Sequence, residues 1–246
     1  MLLLLLSMHA LAGPVPALPP MRYKIVTHSV TDLDLSAVGQ ASQTVTLTST
    51  TFVSVTVTDT VGGLLAHVVV DSSTFDAGAL AGQLPPEMSA DAKGAFFHLY
   101  VINGKSKSAI IPTPLSVQAA QAATGIELVL NGLRMAKAGD TWVDTTNTDT
   151  TSAAGGAKGT RIANWTATSE QGSALQLDAT WTGTTSAGFG PTQLEMQVTG
   201  ASHVTTVPGQ LAEKATSNGS GSATMNAGGM NIPMKVTTDV VTTKIP

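Results

Sequence analysis

The chain has 246 residues, of which 42% are hydrophobic and only 11% charged, and its net charge is −4. Twelve lysines and arginines, with no basic run among them, leave no electrostatic footprint for nucleic acid. Cysteine is absent, which removes disulfides, thiol chemistry and any lipid-acceptor cysteine.

Residues 1–12 read as a signal peptide: Leu2 to Leu6 open a short apolar region, and Ala10-Leu11-Ala12 before Gly13 forms an A-x-A cleavage site. Residues 13–20 follow as a stiff Pro-rich linker. The apolar run is too short to span a bilayer and nothing later approaches a spanning length, so no transmembrane segment is expected. These features predict a periplasmic or secreted protein of the bacterial envelope, with residues 21–246 as a single β-rich domain.

A first long strand is expected from Met21, ending in a polar turn near Asp32 and Asp34. Residues 43–59 alternate most clearly: Val45, Leu47, Val53, Val55 and Val57 share one face, and Thr44, Thr46, Thr48, Thr56 and Thr58 the other. Gly62-Gly63 closes a hairpin into residues 64–70, and a short helix is expected over residues 87–92. Residues 95–102 are apolar on both faces and turn at Asn103-Gly104 into residues 105–111.

Residues 114–135 are the only long segment with a helical period. At about 100° per residue, Leu115, Ala119, Ala122, Ala123, Ile126, Val129, Leu130 and Leu133 fall in one apolar arc, opposite Gln121, Thr124, Glu127, Asn131 and Arg134. Thr113 is placed to cap it, Pro114 to open it and Gly139 to follow its end. Gly125 and Gly132 are each expected to weaken it by about 1 kcal/mol relative to Ala. Val117, Leu128 and Met135 form a thin second ridge, facing either a covering loop or a ligand hollow.

After the helix the strand pattern resumes at Gly139 to Thr146. Loops are expected at residues 153–159, 186–191 and 217–222, with a Pro208-Gly209 turn between strands and a closing strand over residues 231–243. Residues 21–111 and 139–246 therefore read as two diverged halves joined by the helix. The fold class is mainly β with one long α-helix: a curved antiparallel sheet or half-barrel whose apolar face the helix covers.

Thr-striped strands, an exported chain and a central covering helix resemble the half-barrel lipid and lipoprotein carriers of bacterial envelopes, the lipoprotein-localisation-factor type. The GDTWVDTT element at Gly139 to Thr146 is also similar to a motif of uncharacterised bacterial exported proteins. The resemblance implies acyl chains or lipoproteins held between sheet and helix. The chain departs from that group in lacking the lipid-anchored cysteine that many of its members carry.

No catalytic constellation emerges. His28, His67, His98 and His203 lie on separate strands, and there is no G-x-S-x-G elbow. Asp32, Asp34, Asp140, Asp144 and Asp149 fall mostly at turns. Zinc signatures are missing, and Met225, Met230 and Met234, which offer soft thioethers for Cu(I), suit core or pocket lining instead. The sequence thus predicts a non-enzymatic protein without cofactor or metal, binding an apolar ligand such as a lipid between sheet and helix. Phe97, Leu99, Val101, Ile126, Leu130, Met196 and Met234 are the expected lining. The alternative is a structural or interaction module of the envelope, with a protein partner and a filled core.

Overall fold

The computed structural model describes residues 20–36, 39–60, 63–78, 91–102, 105–110, 117–152, 155–169, 172–189, 192–227 and 229–246. The leader, the linker up to residue 19, the cap at Thr113 and Pro114, the Asn103-Gly104 turn and most of the short helix expected over residues 87–92 lie outside them.

Five strands precede the helix: β1 (Met21–Leu33), β2 (Gln43–Thr60), β3 (Gly63–Asp76), β4 (Phe96–Ile102) and β5 (Lys105–Ile110). Helix α1 (Val117–Leu130) follows, and then β6 (Thr141–Ser152), β7 (Gly155–Ser169), β8 (Leu175–Phe189), β9 (Thr192–Thr206), β10 (Lys214–Ala227) and β11 (Met230–Ile245). They form one antiparallel sheet in the order β5-β4-β3-β2-β1-β11-β10-β9-β8-β7-β6, so the first and last strands pair at its centre. The edge strands β5 and β6 approach within 8 Å, Cα to Cα, without sharing a ladder. The sheet is a half-barrel whose mainly-β, single-helix class is the one the sequence predicts.

Period-two alternation decides which side chains meet the helix. Val53, Val55 and Val57 of β2 are buried on the concave face with Tyr23 and Ile25 of β1, while Lys24 and Thr58 point outward. α1 crosses this concave face and touches both flanks of the sheet, from β2 to β4 on one side and β9 to β11 on the other. Its Ala122, Ile126, Val129 and Leu130 close the core against Val68, Phe97, Leu177 and Val204.

Several boundaries differ from expectation for physical reasons. Among the described residues α1 ends at Leu130 rather than 135 and tightens into a 3-10 turn at Asn131–Leu133, because β9 and the segment after it close over its end. There Ala212 N–H donates to Val129 O at 3.1 Å and Gly209 N–H to Gly132 O at 2.9 Å, satisfying carbonyls the helix leaves free. Gly125 and Gly132 are sites of close approach: a Cβ at Gly125 would stand 2.7 Å from Thr242 Oγ1, and one at Gly132 2.8 Å from Ala212 N. The second ridge does not form, since Leu128 is 1% exposed whereas Met135 lies beyond the helix at 76%. Residues 217–222, expected as a loop, sit inside β10, and β7 and β8 extend into the other two expected loops. Glycine in those strands serves the packing described next.

Candidate functional site

Register across the sheet sorts the concave face into rows. One runs Asp144, Ala163, Trp181, Gly200, Gly219, Thr238, Ser29, Leu47; the next, farther from α1, runs Thr146, Arg161, Gly183, Val198, Gly221, Val236, Thr31, Val45. Beyond it Met196, Ala223, Met234 and Leu33 are aligned. Under α1 the inner side chains are buried. In these outer rows many become half-buried, and apolar side chains such as Leu47, Val198, Val236, Met196 and Met234 share the surface with glycines and with Ser29, Thr31 and Thr238. α1 therefore covers one part of the concavity and leaves an apolar wall beside it.

Where the covered part meets the wall, all three tryptophans of the chain and two of its three arginines converge. Trp142 and Trp165 stack with centroids 6.0 Å apart and planes at 10°. Arg134, just past α1, lays its guanidinium 4.3 Å above Trp142, whose indole Nε1–H donates to Asp144 Oδ2 at 3.0 Å. Arg134 Nη2 and Asp144 Oδ1 form an ion pair at 3.5 Å, with side chains 19% and 14% exposed. That separation is too long for a directed hydrogen bond, and both atoms lack a hydrogen-bond partner. Thr146 donates to Glu127 Oε1 at 2.8 Å, tying α1 to β6.

Arg161 stands apart from these pairings. Its guanidinium lies 5.0 Å above the Trp181 ring and its buried Nε has no hydrogen-bond partner; among the described residues no carboxylate pairs with it. Between Arg161, Glu127, Asp144 and Trp165 there is a cavity of about 20 Å³, the volume of roughly one water. No ligand-sized space opens there. On the convex face two open grooves of about 620 and 610 Å³ are lined mainly by hydroxyl and amide side chains such as Thr180, Asn218 and Gln197.

Of the residues expected from sequence to line a site, Phe97, Leu99, Val101, Ile126 and Leu130 are at most 2% exposed and sealed in the helix–sheet contact. Met196 and Met234 lie instead on the wall, both opposite Ala223. Met225 and Met230 pair with Ile232 and Ala227. His67 and His98 face each other across β3 and β4 on the convex side, with Nδ1 and Nε2 3.0 Å apart beside Phe96. Among the described residues no three His, Asp or Glu side chains are grouped to hold a metal, and no helix is long and apolar enough to cross a membrane. The sequence reading misses Arg134, Arg161 and the tryptophans. Their signal is phase, since Arg161 falls in step with Ala163, Trp165 and Ala167, and Asp144 with Trp142 and Thr146.

Neither a protein-family profile nor any curated protein matches the chain. Among solved structures, a BenF-like porin from Pseudomonas fluorescens Pf-5 aligns over 92% of this chain and 99% of its own at 6% identity, with a TM-score of 0.30. A structure described as "Asymmetric conductivity of engineered proteins" aligns over 92% and 100% at 8% identity, with a TM-score of 0.24. Scores this low establish neither a shared fold nor a shared function.

Proposed function

We propose that this is an exported, non-enzymatic protein that binds an apolar chain, such as that of a lipid, along the part of the concave wall that α1 leaves uncovered. The observation that carries the reading is the change in exposure along the inner face: buried under α1 and largely half-buried beyond it, where Leu47, Val198, Val236, Met196 and Met234 still offer apolar surface. Apolar surface inside a curved sheet lets a hydrophobic ligand withdraw more of its area from water than a flat face would. The apolar leader with its A-x-A site supports export. Protein purified without detergent and sprayed under native conditions should carry co-purifying lipid, and a fluorescent fatty-acid probe should bind and be displaced by unlabelled lipid. Absence of both effects overturns the reading.

The second reading, a structural or interaction module with a filled core, is favoured by the tightness of the helix–sheet contact, where only about 20 Å³ stays empty near Glu127. It predicts a protein that captures no lipid.

A further inference from the structure

We infer that the ligand is an anionic amphiphile, an acyl chain ending in a carboxylate or phosphate, and that Arg161 receives its head. The inference rests on the apolar-chain reading above and adds the headgroup.

The Arg161 Nε is buried without a hydrogen-bond partner, and among the described residues no carboxylate lies within ion-pair distance of its guanidinium, so the charge is open to an external anion. Asp144 pairs with Arg134 and accepts from Trp142, and Glu127 accepts from Thr146. Arg161 has only the face of Trp181, which fixes the guanidinium plane but supplies no full negative charge. Its position suits a head: on β8 its neighbour in the row is Gly183, so no side chain separates Arg161 from Val198 and the wall beyond. From Arg161 to Val45 the row crosses six inter-strand spacings, about 29 Å along the curve, comparable to the two acyl lengths of a bilayer core. One chain fits with its head at Arg161 and its tail toward β11 and β1. A planar fork of N–H donors binds carboxylate or phosphate oxygens in pairs, which neither an alcohol nor an amine head reproduces.

The test uses the full chain, titrated with palmitate, hexadecyl phosphate and hexadecanol against a fluorescent probe, with thermal melts alongside. Palmitate and hexadecyl phosphate should each bind about tenfold or more tighter than hexadecanol, and whichever binds tighter identifies the head. Arg161→Gln should bring both anions down to the level of the alcohol, and Arg161→Lys should restore part of the preference. If Arg161→Gln does not fold, the preference in the unaltered protein and its weakening in Arg161→Lys still decide. Equal binding of all three ligands, or a preference that survives Arg161→Gln, overturns the inference and leaves the apolar-chain reading standing. If none of the three binds, that reading itself fails.

Discussion

The Trp181 indole lies so close over Gly219 that a Cβ on the glycine would stand 2.5 Å from its Cη2. Gly200, between them in the row, is as constrained: a Cβ there would fall 2.7 Å from Trp181 Cε2 and closer still to Asn218 O on the next strand. Gly183 differs, since a Cβ there meets nothing nearer than Val198 Cγ2 at 3.5 Å. Gly200→Ala should therefore destabilise the fold by about 3 kcal/mol through overpacking against backbone and indole. Gly183→Ala should stay within about 0.5 kcal/mol. Urea midpoints of the two variants check the contrast, and equal midpoints would refute the packing account.

Gly125 sets helix propensity against packing. In an exposed helix Gly→Ala gains about 1 kcal/mol. Here the added methyl would stand 2.7 Å from Thr242 Oγ1 and 2.8 Å from Ile25 Cγ2, both on fully buried side chains of the sheet centre. Overpacking costs about 1–3 kcal/mol, so Gly125→Ala should lower stability by about 1 kcal/mol net. Thermal melts read the sign, and a raised midpoint would show that α1 is less tightly set on β1 and β11 than described.

Tyr23 gives a pH dependence. Its hydroxyl is buried and donates to Ala212 O at 2.9 Å; burial first, and the nearby Glu213 charge second, push its pKa well above the usual phenol value. The folded state thus keeps the proton that the unfolded state loses above about pH 10. Stability from this group is fully present below that pH and falls by about 1.4 kcal/mol per pH unit above it, until the folded-state pKa is passed. Tyr23→Phe should cost about 1 kcal/mol at neutral pH and flatten that alkaline slope. Denaturant melts between pH 8 and about pH 11 compare the slopes.

The alternation of Val and Thr in β2 made the sheet legible, because period two holds wherever one face is buried. The apolar arc of α1 was legible for the same reason at period 3.6, and Ala122, Ile126, Val129 and Leu130 are indeed buried. Gly219 and Gly221 were not, because Ser and Gly in succession carry the composition of a loop. Gly219 makes room for Trp181 two strands away and Gly221 for the Gln197–Val198 backbone of β9, both visible only once β8, β9 and β10 are in register. Arg161 was half legible. Its phase puts it on the inner face, but that it lies over Trp181 without an ion pair depends on the pairing of β7 with β8.

Gly183 separates binding from folding. An added Cβ has ordinary contact distance there, 3.5 Å to Val198 Cγ2 and 4.0 Å to Arg161 Cβ, so a longer side chain extends over the wall between those two residues rather than into the sheet. Gly183→Leu should keep the fold, with a midpoint within a few degrees of the unaltered protein. It should also occlude the path from Arg161 to Val198 and weaken fatty-acid probe binding about tenfold or more, the loss expected when roughly 1.4 kcal/mol of apolar contact is denied to the ligand. Gly183→Ala, adding a single methyl, should bind nearly as well. Probe titrations on the three proteins, each with a melt, make the comparison: a folded Gly183→Leu that binds with undiminished affinity places the ligand elsewhere on the molecule.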